Sequence, residues 1–102
     1  MYAVRYHRFG GLDELEHEEA PTPRPGPGEV LVKVAACGVN RVDILSREGK
    51  TPFKTPFPHV SGSDVAGTVV EVGDGVESVV SGSRVVILPN LSCGTCPMCR
   101  VG

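Results

Sequence analysis

The sequence predicts a mainly β protein with one or two short helices. Two segments, residues 29–39 and Asp64–Val72, alternate between two faces with the period of two residues that is typical of strands. Thirteen glycines and nine prolines in 102 residues favour many short strands joined by turns. Helical signals are confined to residues 41–48, and a chain of this length fits one small domain.

The predicted central strand is Asp64–Val72, which is rich in β-branched residues. Gly67 lies in its middle without a side chain, so it would let another backbone or a ligand approach the strand closely. The turn dipeptide Asp74-Gly75 ends this strand. We expect a further core strand over residues 84–88, which are almost purely aliphatic.

The other segments are predicted to lie around these strands. Asn40 occupies the N-cap position of a helix over residues 41–48, with Asp43 in the first turn and Gly49 at the end. Since proline has no backbone N–H, residues 21–28 predict an extended connector. The remaining predictions are strands over residues 2–6 and 15–18 around a turn at 9–13, the second strand being an acidic edge; an ordered loop at 51–58; a loop or weak strand at 76–80; and a turn at 81–83.

Charge and hydropathy exclude several classes of function. The formal net charge is −2 with no block of basic residues, so neither a nucleic-acid surface nor an anionic membrane surface is indicated. No apolar run approaches the roughly 20 residues that span a bilayer, and the N-terminus lacks the apolar core of a signal peptide. We therefore expect a cytoplasmic protein with neither nucleic-acid nor membrane partners.

Three of the four cysteines form a compact motif, Cys93-x-x-Cys96-x-x-Cys99. Thiolates on one tight loop suit zinc, which sulfur ligands bind tetrahedrally at ~2.3 Å. A structural zinc site has four protein ligands, so the fourth comes from Cys37, from a histidine or from beyond residue 102, and we favour the last source. The alternative is a set of reduced or oxidised thiols without a metal.

Four motifs follow one another along the chain. They are GVNRVD at residues 38–43, GSDVAGTV at 62–69 with its continuation to 73, GSRV at 82–85 and the cysteine loop. Together they resemble the medium-chain dehydrogenase/reductase superfamily, which includes the zinc alcohol dehydrogenases and the quinone oxidoreductases. The resemblance implies that residues 1–102 form the N-terminal part of a GroES-like catalytic domain, a partly open β-barrel with a zinc lobe. The family's Rossmann domain would follow, and no GxGxxG motif occurs in these residues.

The sequence departs from the zinc alcohol dehydrogenases at the catalytic metal. By resemblance, Asn40 stands where those enzymes have a cysteine ligand and Ser63 where they have a histidine ligand, while the third ligand would lie past residue 102. Val42 replaces the hydroxyl that relays the alcohol proton. An amide and a hydroxyl are poor substitutes for thiolate and imidazole, so no catalytic zinc is expected.

Without that zinc the sequence resembles the quinone and enoyl reductases, in which NADPH supplies hydride to a conjugated carbonyl. The resemblance implies that Asn40 contacts the substrate or the cofactor and that Arg41 reaches the cofactor phosphates. It also implies catalytic-site roles for Asp43 and Asp64. The simpler roles are a helix N-cap for Asn40, a solvated side chain for Arg41, a first-turn acid for Asp43, a turn carboxylate for Asp64 and a surface group for His59.

We therefore predict an oxidoreductase that uses NADP or NAD, carries a structural zinc and acts on a small carbonyl, quinone or alcohol substrate. The full-length protein is expected to be a homo-oligomer, and residues 1–102 alone are expected to be inactive. Two alternatives stay open. One is a zinc alcohol dehydrogenase with a remodelled metal site that uses Asp64, Cys37 or His59. The other is a non-catalytic, zinc-stabilised binding module.

Overall fold

The computed structural model describes every residue from Met1 to Gly102 and contains a two-stranded and a three-stranded antiparallel sheet. The fold is mainly β with short helices and no closed barrel, which confirms the predicted fold class. In chain order the elements are β1 (Tyr2–Arg5), a 3-10 helix (Leu12–Glu14), β2 (Glu16–Glu19), β3 (Val30–Gly38), α1 (Arg41–Arg47), β4 (Asp64–Val72), β5 (Arg84–Val86) and α2 (Pro97–Val101).

β1 and β2 form an antiparallel hairpin in which Arg5 lies opposite Glu16. The acidic edge strand is confirmed, although it begins one residue later than predicted because the 3-10 helix occupies part of the preceding turn. The negative charge on β2 is balanced locally, since Arg5 Nε and His7 Nε2 each lie 2.5 Å from Glu18 Oε1. This pairing links the end of β1, and His7 just after it, to β2.

The Glu18 contacts predict a pH dependence of stability. Hydrogen bonds, first from Arg5 and then from His7, hold the pKa of Glu18 below its ordinary value. A lowered folded-state pKa stabilises the fold above the unfolded-state value, and this stabilisation is lost as pH falls through the folded-state value. We therefore expect Glu18→Gln to unfold at a temperature that depends less on pH below about pH 4.3 than the wild type does.

Thermal unfolding followed by circular dichroism at a series of pH values measures this difference. The exposed residue Glu77 makes no ion pair, so Glu77→Gln serves as the matched control and should follow the wild type. An identical pH profile for Glu18→Gln and the wild type would contradict the prediction.

In the three-stranded sheet, β4 is the central strand and pairs antiparallel with β3 and β5. Gly67 in β4 is buried opposite Val34, and a Cβ atom at this position would overlap the carbonyl oxygen of Lys33. The predicted close approach at Gly67 is confirmed, and the group that approaches is the backbone of β3. Any side chain here would therefore push the two strands apart.

β5 is shorter and more exposed than predicted. The sequence predicts a core strand over residues 84–88, whereas β5 ends at Val86, which is 82% exposed. Ile87 still donates a hydrogen bond to β4 at 2.8 Å. Pro89 then follows, and because it lacks an N–H it cannot extend the ladder. The aliphatic composition of residues 84–88 therefore predicts more burial than the structure shows.

The proline-rich connector before β3 contains no strand or helix, but it is not extended throughout as predicted, because Glu29 N–H donates to the Gly26 carbonyl at 3.0 Å and closes a turn. The connector is fastened to the far end of β4. Gly28 N–H donates to the Asp74 carbonyl at 2.8 Å, and Gly73 N–H donates to the Glu29 carbonyl at the same distance. These bonds satisfy backbone groups that have no strand partner. They also place the turn after β4 beside the start of β3.

A small core lies between the N-terminal hairpin and the loop that leads to β4. Tyr6 is fully buried and exchanges backbone hydrogen bonds with His59 at 3.0 and 2.9 Å. The rings of Phe57 and His59 pack against the Tyr6 ring, with centroids 6.0 and 5.3 Å away. The interpretation of His59 as a surface group is therefore wrong, because this histidine is half-buried against Tyr6. The other buried side chains are Ala20, Val69 and Arg47.

α1 follows β3 directly and is one residue shorter than predicted. Asn40 is its N-cap residue, in an extended conformation. Gly49 follows its end with a φ of +73°, the left-handed conformation that ends helices. The carbonyl of Arg47 accepts a hydrogen bond from Gly10 N–H at 2.9 Å, which docks the helix against the N-terminal turn. Neither α1 nor α2 has the length and apolar character needed to span a bilayer.

Candidate functional site

Asn40, Asp43 and Asp64 meet where β3 ends and where α1 and β4 begin. Asp43 Oδ2 accepts a hydrogen bond from the backbone N–H of Asn40 at 2.8 Å, and Asp43 N–H donates to the Asn40 carbonyl at 3.0 Å. An acid at this position satisfies a free N–H of the first helical turn. Asp43 therefore fixes the backbone from which the Asn40 side chain projects.

The Asn40 amide is oriented by Asp64. Its Nδ2 lies 2.5 Å from Asp64 Oδ2. The register of the sheet creates this contact, because Gly38 at the end of β3 lies opposite Asp64 at the start of β4, and Asn40 is two residues further on. Both side chains are exposed, so the pair lies at the surface of the site and not in the core.

Asp43 also binds the loop before β4. Its Oδ1 accepts a hydrogen bond from Gly62 N–H at 3.2 Å, and Gly62 has a φ of +109° that favours glycine. A Cβ atom on Gly62 would lie 2.6 Å from Cys37 Sγ, so a side chain is excluded here for steric reasons as well. Asp43 thus serves both as a first-turn acid and as the partner that holds the loop.

The other residues predicted at this site do not take part in the hydrogen bonds among Asn40, Asp43 and Asp64. Arg41 is exposed and makes no ion pair. Ser63 is half-buried in the loop, and Val42 is 45% exposed on α1. His59 is held against Tyr6. Asp64, Cys37 and His59 do not bring their ligand atoms within 4.8 Å of one another, so the remodelled metal site gains no preformed ligand set from them.

The cysteine loop has the geometry of a zinc site. Cys99 Sγ lies 3.4 Å from Cys96 Sγ and 3.9 Å from Cys93 Sγ. Four sulfurs around a tetrahedral zinc at ~2.3 Å are separated by roughly 3.8 Å, so these residues fit the metal. All three sulfurs lie within 4.8 Å of one another, and neither Cys37 nor a histidine joins them.

Local hydrogen bonds favour the thiolate form of Cys93. The backbone N–H groups of Thr95 and Cys96, followed by the Thr95 hydroxyl, stabilise the Cys93 thiolate and lower its pKa to about 6. Thiolate is the form that binds zinc, so less proton release has to accompany binding at this sulfur. Cys96 is the N-cap of α2 and Pro97 is its first residue, which fixes the path of the loop.

Two features of the molecule could not be found from the sequence. The Gly62 N–H that binds Asp43 has no residue-type signal apart from a glycine beside two serines. The second feature is a group of potential ligands on the N-terminal hairpin, formed by His7, Glu16 and Glu18. Residues on two strands come together there only through the register, and Glu18 is already paired with Arg5.

The chain belongs to the alcohol dehydrogenase GroES-like domain family, which matches residues 26–102. It is 41% identical over 95 residues to the quinone oxidoreductase of Rattus norvegicus, covering 92% of this chain and 29% of that protein. The family and its members are medium-chain oxidoreductases, as the four sequence motifs predicted.

Solved structures share the fold. A crystal structure of an NAD-dependent alcohol dehydrogenase superposes with a TM-score of 0.89 at 44% identity, covering 99% of this chain and 29% of the other. The cobalt- and zinc-bound thermostable alcohol dehydrogenase from Pyrobaculum aerophilum gives a TM-score of 0.90 at 44% identity, with coverage of 100% and 30%. The chain therefore spans less than a third of the length of the proteins it matches.

Proposed function

We propose that residues 1–102 are the N-terminal, catalytic-domain portion of an NAD(P)-dependent oxidoreductase that reduces a quinone or another conjugated carbonyl compound. The observation that carries the proposal is the hydrogen bond between Asn40 and Asp64, 2.5 Å long, at the position where zinc enzymes of this family have a thiolate by resemblance. Similarity to the rat quinone oxidoreductase over 92% of the chain supports the same class of reaction.

Asn40 is suited to bind a carbonyl oxygen. Its amide nitrogen carries two N–H groups, and the bond to Asp64 uses one of them. The second N–H is free to donate to a substrate carbonyl, where a donor stabilises the negative charge that develops during reduction. Asp64 aligns the amide and Asp43 fixes the backbone beneath it, so the donor direction is set before a substrate binds.

A nicotinamide cofactor would supply the hydride when bound. Among the residues of α1, Arg41 is the one suited to hold its phosphates, because the guanidinium is exposed and free of an internal carboxylate partner. We propose this role for Arg41 with either NADP or NAD. The remaining cofactor contacts are proposed to come from a Rossmann domain outside residues 1–102, which would leave these residues inactive alone.

We further propose a structural zinc in the loop 93–99, held by Cys93, Cys96 and Cys99. The sulfur separations and the lowered pKa of Cys93 support this, and the fourth ligand is proposed to lie outside these residues. A cytoplasmic homo-oligomer acting on a small molecule completes the proposal.

Substitution of Asn40 tests the proposed reaction. In the longest form of the protein that its gene encodes, we expect Asn40→Ala to lower kcat/KM for NADPH-dependent quinone reduction by about a hundredfold, as loss of one donor to a developing oxyanion does. Stopped-flow or steady-state absorbance of NADPH with a series of quinones measures it. The exposed residue Asn90 lies outside the site, so Asn90→Ala is the matched control and should keep wild-type kinetics.

Unchanged kinetics for Asn40→Ala would contradict the proposed role of the amide. The zinc content of the same protein separates the reductase from an alcohol dehydrogenase with a remodelled site. One zinc per subunit, without inhibition by a chelator, supports the reductase. Two zincs per subunit, with alcohol oxidation that a chelator abolishes, would contradict the reductase and support the zinc alcohol dehydrogenase.

A further inference from the structure

A cleft of about 400 Å³ opens between the N-terminal hairpin, the end of β3 and α1. Its apolar walls include Val4, Leu15 and Ile44, and its charged residues are Asp43 and Arg47. Neither Asn40 nor Asp64 lines it. The volume lies within the roughly 300–1,000 Å³ that is typical of sites for small molecules.

Arg47 is an almost buried cation without a negative partner. It is 8% exposed, and the recorded contact of its guanidinium is a hydrogen bond from Nε to the Gly10 carbonyl at 3.3 Å. The one fully enclosed polar side-chain atom without a partner is the Tyr6 hydroxyl, so the unbonded nitrogens of Arg47 keep contact with solvent. Arg47 is also one of the residues that line the cleft.

The neighbouring acids do not neutralise this charge. Asp43 uses both oxygens to accept backbone N–H groups, from Asn40 at 2.8 Å and from Gly62 at 3.2 Å. Glu48 pairs with Lys50 at 2.6 Å, although Arg47 contributes to the lowering of the Glu48 pKa. None of the ion pairs in the structure includes the Arg47 guanidinium. A cation removed from water without a partner costs free energy that a bound anion would recover.

We propose that this cleft binds the carboxylate of a small amphipathic molecule, with the carboxylate on Arg47 and the apolar part against Val4, Leu15 and Ile44. The planar guanidinium matches a carboxylate in shape and charge. A single cation with Asp43 nearby favours a monoanion over a dianionic phosphate. Arg47 takes no part in the proposed hydride transfer, so binding here does not depend on that activity.

Hexanoate and hexanamide are matched probes, since they share the apolar chain and differ in the charged group. The measurement is an amide chemical-shift titration at pH 7 on the longest form of the protein that the gene encodes. We expect hexanoate to shift the amides of Gly38, Ile44 and Gly62, and to bind about tenfold more tightly than hexanamide. Arg47→Met should abolish this preference, whereas Arg47→Lys should retain part of it.

Equal binding of the two probes to the wild type would overturn the proposal, and so would a preference that survives in Arg47→Met. Since the wild-type comparison needs no substitution, it decides the question even if Arg47→Met fails to fold. A failure of hexanoate to bind would also overturn it, because an accessible, unpaired guanidinium beside apolar walls should bind this carboxylate. None of these outcomes depends on quinone reduction.

Discussion

Replacing Cys96 with serine is expected to lower the zinc affinity of the loop 93–99 by more than about a hundredfold, because loss of a direct ligand exceeds the 10- to 100-fold cost of losing a residue behind a ligand. Cys96 Sγ lies 3.4 Å from Cys99 Sγ, and Cys96 is the N-cap of α2. Serine keeps the size of the side chain but supplies a neutral hydroxyl in place of a soft thiolate. The variant should therefore lose the metal while the strands of the sheet remain.

Zinc content by mass spectrometry, and competition with a chromogenic chelator, measure this loss. Cys37→Ser is the matched control, because Cys37 lies beside Gly62 and does not join the three clustered thiols. It should bind zinc as the wild type does. Equal zinc affinity for Cys96→Ser and the wild type would show that Cys96 is not a zinc ligand, and a loss in Cys37→Ser would make Cys37 the fourth ligand.

The strands and the helix could be predicted because their signals are local. Alternation over β3 and β4, the N-cap of α1 and its terminal glycine depend on neighbours in sequence, and the structure has them in place. The end of β5 could not be predicted in this way. Its aliphatic residues favour a buried strand, but burial depends on which elements cover them, and here Val86 stays exposed.

The contacts of the candidate site likewise divide into those that follow from neighbours in sequence and those that depend on the fold. The bond from Asp43 to the Asn40 backbone spans three residues and follows from capping rules. The bond from Asn40 to Asp64 spans 24 residues and needs the register of β3 against β4. The unpaired guanidinium of Arg47 depends on the packing of α1 against the N-terminal turn, 37 residues away. The resemblance to a family names Asn40, Asp43 and Asp64, whereas the contact between Asn40 and Asp64 and the unpaired state of Arg47 require the geometry.

Gly67→Ala is expected to lower the free energy of unfolding by about 3 kcal/mol, the upper end of the usual cost of overpacking. The added Cβ would overlap the Lys33 carbonyl oxygen and lie 2.7 Å from Val32 Cγ1. A flexible side chain could move aside at little cost, but a carbonyl within the ladder cannot move without breaking strand pairing. Two register irregularities already bend β3 on either side of this point, so the strand has little freedom to shift further.

Urea unfolding followed by circular dichroism measures the change, with Gly11→Ala as the matched control. Gly11 has an ordinary φ of −81°, and an added Cβ would meet only the flexible carboxylate of Asp13 at 3.0 Å. We expect the control to change stability by less than about 1 kcal/mol, since a glycine in a conformation open to alanine is replaced cheaply. If both variants unfold at the same urea concentration, β3 and β4 can separate to admit a methyl group.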